Sequence, residues 1–164
     1  MDKVVVEIGP DKAVQDKGSL VCTLHSFRLY GSPADASIDQ GKISMADAQY
    51  YADRSKFLLM EADIQNIDYK DYDGKEEINL SMFTIAPKVR EEPEAWDGSL
   101  PVYLSDPGEG DSYYHFPVKA GETKTVAIGF YVPVKDAGEL CSGCWIAISG
   151  CTDEGYVYGI PKVW

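Results

Sequence analysis

Apolar and polar residues alternate with a period of two along most of this 164-residue chain, the pattern of strands that have one dry and one wet face. The clearest stretch is KFLLMEADIQNI (56–67), where Leu58, Met60, Ala62 and Ile64 fall on one face and Glu61, Asp63 and Gln65 on the other. TKTVAIGFYVPV (123–134) repeats it with Val126, Ile128, Phe130 and Val132. LVCTLHSFRLY (20–30) predicts a long strand whose parity shifts between Leu24 and Phe27, so a bulge or bend is expected there. INLSMFTI (78–85) alternates Ile78, Leu80, Met82 and Thr84 against Phe83 and Ile85. Shorter strands are predicted at VVVEI (4–8), LPVYL (100–104), YYHFPV (113–118), CWIAIS (144–149) and GYVYGI (155–160).

Turn chemistry separates these runs: Gly9-Pro10-Asp11, Gly31-Ser32-Pro33, DYKDYDGKEE from 68 and the Asp-Pro-Gly run from Asp106. Ala120-Gly121-Glu122 predicts a hairpin between YYHFPV and the strand after it, and 150–154 a final hairpin. The stretch 34–53 has no strand pattern; Ser44 with Asp47 resembles a weak capping box and predicts a short helix over 45–53. Roughly seven to nine short strands between turns predict an all-β, two-sheet immunoglobulin-like β-sandwich, with 58–64 and 126–132 as its core. No repeat or low-complexity linker divides the chain, so 1–164 is expected to form a single domain.

Charge narrows the partners. Fifteen Lys and Arg against 27 Asp and Glu leave a net charge of −12. Nucleic acid and anionic lipid both recruit clustered basic residues, so neither is expected as a partner. No apolar run reaches the ~18–20 residues of a membrane-spanning helix. Only five apolar-leaning residues follow Met1-Asp2-Lys3 before Gly9-Pro10, too few for a signal peptide. The expectation is a cytoplasmic protein if Met1 is the true start, or an exported one whose signal precedes it.

The strand that enters on Lys56-Phe57, runs through LLMEADI and ends in Asn66 resembles a segment of the telokin-like, immunoglobulin-type domains of unknown function found in exported lipoproteins and surface proteins of Gram-positive bacteria. Met82-Phe83, the turn Val118-Lys119-Ala120-Gly121-Glu122 and the strand Val126 to Pro133 with Phe130 resemble its second half. The resemblance covers roughly 20–161, with longer stretches than the pattern needs at 31–55 and 91–110. It implies a sandwich, an extracellular or cell-surface location and no catalytic residues. In an exported domain cysteines are disulfide-bonded by default, which makes Cys22, Cys141, Cys144 and Cys151 disulfide candidates with three pairings open.

Other chemistry is weaker. Cys22-x-x-His25 with Cys141-Ser-Gly-Cys144 has four zinc-ligand types, but residues three apart on a strand face opposite ways unless a bulge intervenes. A thioredoxin-like role needs a helix N-terminus beside the thiol, and Cys144 opens a strand. Asp68, Asp71 and Asp73 in one loop, and Asp106, Glu109 and Asp111 in another, invite calcium, yet the EF-hand register is absent and polar turn chemistry explains them. Neither histidine, His25 or His115, adjoins a nucleophile in a recognisable setting. No metal and no cofactor is therefore expected.

Eleven Tyr and three Trp are a high aromatic load. Tyr131 has the parity opposite to the core set, Tyr69 and Tyr72 sit in a polar turn, Trp96 in a long loop, and Tyr113 and Tyr114 beside the second acidic loop. Such residues either cover the rims of a sandwich or make contacts with proteins and sugars. The reading is a non-enzymatic binding module with these six as ligand-contact candidates. Its expected partner is an unknown protein or glycan at the cell surface. The alternatives are a carbohydrate-binding domain using Tyr and Trp, and a zinc or calcium protein.

Overall fold

The computed structural model describes residues 3–8, 18–43, 54–71, 73–80, 83–87, 101–107, 115–148, 156–159 and 162–163. The larger sheet is built around three long strands: β2 (Gly18–Tyr30), β3 (Ser55–Asn66) and β8 (Thr123–Pro133). β3 lies between the other two, antiparallel to both, and β1 (Lys3–Ile8) and β6 (Pro101–Leu104) extend the order to β1-β2-β3-β8-β6. A two-residue strand, β11 (Lys162–Val163), pairs in parallel with Arg28 and Leu29 of β2. The second layer comprises a sheet of β10 (Tyr156–Gly159), β9 (Cys144–Ile148) and β5 (Phe83–Pro87), and a ribbon of β4 (Glu77–Asn79) and β7 (His115–Pro117). This is the all-β two-sheet sandwich that the alternation predicts.

The core lies between the layers and draws on the predicted faces. Leu58, Met60, Ala62 and Ile64 of β3 and Val126, Ile128, Phe130 and Val132 of β8 form one cluster with Ile78, Leu80, Phe83, Ile85, Phe116 and Val118 of the second layer. The expected irregularity in β2 is a bulge: Leu24 pairs with Ala62 and Ser26 with Glu61, leaving His25 as the extra residue. It carries the buried set from Leu20 and Cys22 before the bulge to Phe27 and Leu29 after it, because one inserted residue restores the parity of a strand with period two.

Two expectations are corrected. INLSMFTI is two strands, not one: β4 ends at Asn79 and β5 begins at Phe83. The break moves the buried positions from Ile78 and Leu80 to Phe83 and Ile85, so the two pieces join different sheets. The turn at 120–122 does not close a hairpin, since β7 pairs with β4 and β8 with β3 and β6. The turn instead crosses between layers and is tied to the end of β3: Gly121 N–H donates to Asn66 O at 2.7 Å and Asn66 N–H to Glu122 O at 3.0 Å.

Asn66 is fully buried. Its amide donates to Val118 O at 2.7 Å and to Tyr69 O at 3.1 Å, and its side-chain oxygen accepts from Tyr69 N–H at 2.6 Å. One side chain thus satisfies three buried backbone groups and folds the chain after β3 inward. Gly18 completes this end. It adopts φ +99°, and a Cβ there would meet the Asp68 carbonyl oxygen at 2.4 Å, so a glycine is required.

After β8 the chain forms α1 (Val134–Leu140), which the alternation does not predict. Ala137 and Leu140, three apart on one face, bury into the core cluster. The helix expected over 45–53 falls outside the described residues.

Candidate functional site

The larger sheet has a second, outer face, and its two ends differ in chemistry. At one end Phe57 and Leu59 of β3, Tyr131 of β8 and Tyr103 of β6 lie beneath the segment 31–43, which contributes Ala36 and Ile43 to the same cluster. This strap is held largely by its own turns. Pro33–Asp35 and Gln40–Lys42 are short 3-10 turns, and the Asp39 carboxylate caps the second by accepting from Gly41 N–H at 3.0 Å. Its ties to the sheet include an isolated bridge between Ile43 and Tyr103, a bond from Lys42 Nζ to Ser105 O at 2.5 Å and a hydrogen bond between the Asp39 backbone and the Tyr103 hydroxyl.

Beneath the strap the aromatic rings interlock. Phe57 meets Tyr103 and Tyr131 edge to face, with centroids 6.5 and 6.1 Å away, a favoured geometry for aromatic pairs. Gly129 opens the space for them, since a Cβ there would come within 2.3 Å of the Phe57 ring. Burial, and after it the charge of Asp39, raises the Tyr103 hydroxyl above its ordinary value.

At the other end the outer face is open and polar. His25, the extra residue of the bulge, faces outward and places Nε2 2.8 Å from Asp63 Oδ2. Thr125 of β8 donates to Asp63 Oδ1 at 2.6 Å, and the Ser26 hydroxyl donates to Glu61. Asp63 therefore ties three adjacent strands together. The Thr125 hydroxyl, followed by the hydrogen bond from His25, holds the Asp63 carboxyl below its ordinary value of 3.8. Asp63 is thus an anion at neutral pH, and the face presents carboxylates, hydroxyls and an imidazole to solvent on a paired-strand frame.

The aromatic candidates fare unequally. Tyr131 is on the outer face, as its parity says, but the strap seals it to 5% exposure. Tyr69 is 1% exposed and belongs to the core, because Asn66 turns the acidic loop inward. The expectation that these two offer contact surfaces is corrected. Tyr72, Trp96, Tyr113 and Tyr114 lie outside the described residues.

The cysteines and acidic loops are also redrawn. Cys22 and Cys141 are free thiols. Cys22 is level with Ile64 on β3, whereas α1 leaves the sheet beside Ser55. Nine strand residues at ~3.3 Å each are roughly 30 Å. The ~10 Å that α1 could run back leaves far more than the ~5.5–6 Å between disulfide-bonded Cα atoms. A bond between these two is excluded. Of Cys144 only the backbone, opening β9, is described, and Cys151 lies outside the described residues.

Burial, and after it the charge of Asp63, pushes the Cys22 thiol from 9.0 up to about 12. Cys22 belongs to the core cluster and His25 to the outer face, so the bulge does not bring them together. Among the described residues no group of three His, Cys, Asp or Glu side chains is placed to hold a metal ion. In the first acidic loop, Asp71 accepts from Asp73 N–H and Lys75 N–H, and Asp68 from Ser19 N–H. These carboxylates cap backbone donors, as polar turn chemistry predicts.

The sequence reading missed the group of His25, Asp63 and Thr125. Its signal was present: the parity His25 shares with Thr23 puts it on the face of Asp63 and Thr125, and the shift at 24–27 brings Ser26 to that face as well.

Fold and site together define a class, an all-β sandwich with one outer face half strapped and half open. The chain belongs to the family described as a domain of unknown function, DUF5027, whose model matches residues 7–156. No curated protein and no solved structure matches it.

Proposed function

We propose that this chain is a non-enzymatic binding module that works outside the cell or at its surface, of the telokin-like immunoglobulin type its motifs resemble. The observation that carries the reading is the open half of the outer face. There, hydrogen-bonding groups of β2, β3 and β8 stand on a rigid frame, the arrangement a recognition surface needs. Its ligand is a protein or glycan that offers hydrogen-bond donors to Glu61 and Asp63.

The telokin-like part of the reading draws support from the residues of the resemblance, since Asn66, Gly121 and Glu122 are bonded to one another. Support for binding over catalysis comes from the histidines. His25 is engaged by Asp63 while the neighbouring Ser26 hydroxyl turns to Glu61, and His115 Nε2 lies 2.9 Å from the Asn79 amide. Among the described residues neither ring is placed against a nucleophile.

Labelled protein incubated with intact cells and with a glycan array tests the reading. Saturable binding that the double variant Glu61→Ala/Asp63→Ala loses while keeping its circular dichroism spectrum is expected. Blank results on both, or binding that ignores the double variant, would reject this surface. Protease accessibility of the native protein on whole cells tests the location: protection until lysis would reject it.

A further inference from the structure

β1 is the terminal strand of the larger sheet. One side of its backbone pairs with β2 along the whole length Lys3–Ile8, and among the described residues no strand pairs with the other. β11 shares this edge of β2 but meets it at Arg28 and Leu29, beyond the end of β1 at Thr23. Among the described residues β1 therefore keeps one side without a strand partner, although β10 of the second layer passes close to it. Alternate N–H and C=O groups of a terminal strand point away from the sheet and can pair with another strand.

The sequence of β1, KVVVEI, is self-complementary when two copies run antiparallel. A two-fold axis at Val5 sets Lys3 of each copy opposite Glu7 of the other, and Val4 opposite Val6. A register shifted by one sets Lys3 opposite Ile8 and Val4 opposite Glu7, losing both charge pairs. The ladder with β2 places Lys3 and Glu7 at outer-face positions, opposite Thr23 and Ser19, and Val4 and Val6 at core-face positions, opposite Cys22 and Leu20. Joined this way, two sheets set both charge pairs, with Val5 against its own copy between them, at outer-face positions and Val4 against Val6 at core-face positions across the seam. Like charges directly opposite one another across two strands are destabilising and opposite charges stabilising; this edge carries one charge of each sign, symmetric about Val5.

The geometry points to a second copy of this chain as the partner of the β1 edge, in a symmetric antiparallel dimer that makes two larger sheets one. This interface is independent of the binding face proposed above. Sedimentation equilibrium of the full chain is the test. The expected mass is twice 18.1 kDa, with dissociation on dilution. Lys3→Glu or Glu7→Lys alone turns both charge pairs repulsive and weakens dimerisation at least about tenfold, and the double variant Lys3→Glu/Glu7→Lys restores it. Hydrogen exchange at β1 amides, slower in concentrated than in dilute wild-type protein, gives a readout that needs no variant. A monomer at every concentration into the millimolar range overturns the proposal, as does a dimer that ignores the charge exchange or leaves β1 exchange unchanged.

Discussion

The two halves of the outer face share β3 and β8, yet the half that adds β6 is sealed and the half that adds β2 is wet. On the sealed half Phe57, Tyr103 and Tyr131 interlock beneath a strap whose own backbone bonds are mostly internal. On the open half, β2, β3 and β8 carry His25, Ser26, Glu61, Asp63 and Thr125, bonded side chain to side chain. Burial of large apolar groups dominates stability, whereas exposed ion pairs contribute little. The sealed half is thus where this face adds to the fold, and the open half adds little to it.

The comparison can be broken most strongly at Phe57. Phe57→Ala removes the ring that both tyrosines pack against, and a loss of about 3–5 kcal/mol is expected in denaturant titrations; a loss under about 1 kcal/mol would mean that the strap seals nothing. Ile43→Ala, at the strap's bridge to Tyr103, is expected to cost about 2 kcal/mol. It also speeds hydrogen exchange in 31–43 ahead of β3 and β8, because the strap's backbone bonds lie mostly within its own short turns and let it open locally. Uniform acceleration would show that strap and sheet open together.

Cys22 links the open half to the core, since the charge of Asp63 helps burial to raise its thiol. Iodoacetamide at neutral pH is expected to label the half-buried Cys141 and spare Cys22 in the native protein, read by peptide mass. The folded thiol titrates above the unfolded one, so the stability that the neutral Cys22 provides is whole below pH 9.0 and falls as pH rises toward about 12. Cys22→Ala should flatten that alkaline decline.

The smallest effect is expected on the open half itself. Thr125→Val should change stability by within about 0.5 kcal/mol while raising the Asp63 titration measured by NMR, since the hydroxyl is the largest cause of its lowering. Because the folded carboxyl titrates below its ordinary value, its contribution is present above pH 3.8 and lost as pH falls through the lowered folded value. An unmoved Asp63 titration would remove Thr125 from the account.

Period and parity made the two core faces of β3 and β8, the bulge at His25 and the final hairpin of β9 and β10 legible, because these features are written in neighbouring residues. What parity could not say is which face another segment covers. Tyr131 has outer parity, but its burial depends on Ala36 and Ile43 from a stretch with no strand pattern. Tyr69 sits among aspartates, and only the bonds from Asn66 bring it inside. The turn at Gly121 has hairpin composition, yet its hydrogen bonds go to Asn66. The polar group around Asp63 joins residues from three strands and so has no local motif.

The central position of β3 between β2 and β8 has a consequence for the time the chain takes to fold. Asp63 and Thr125 are 62 positions apart, and every rung between β3 and β8 demands the closing of a comparably long loop before it gains any contact. Chains dominated by such distant pairings fold in milliseconds to seconds rather than microseconds. Until β8 arrives, β3 exposes an unpaired backbone edge and part of its apolar face, so newly made chains are expected to be most prone to aggregate in that interval.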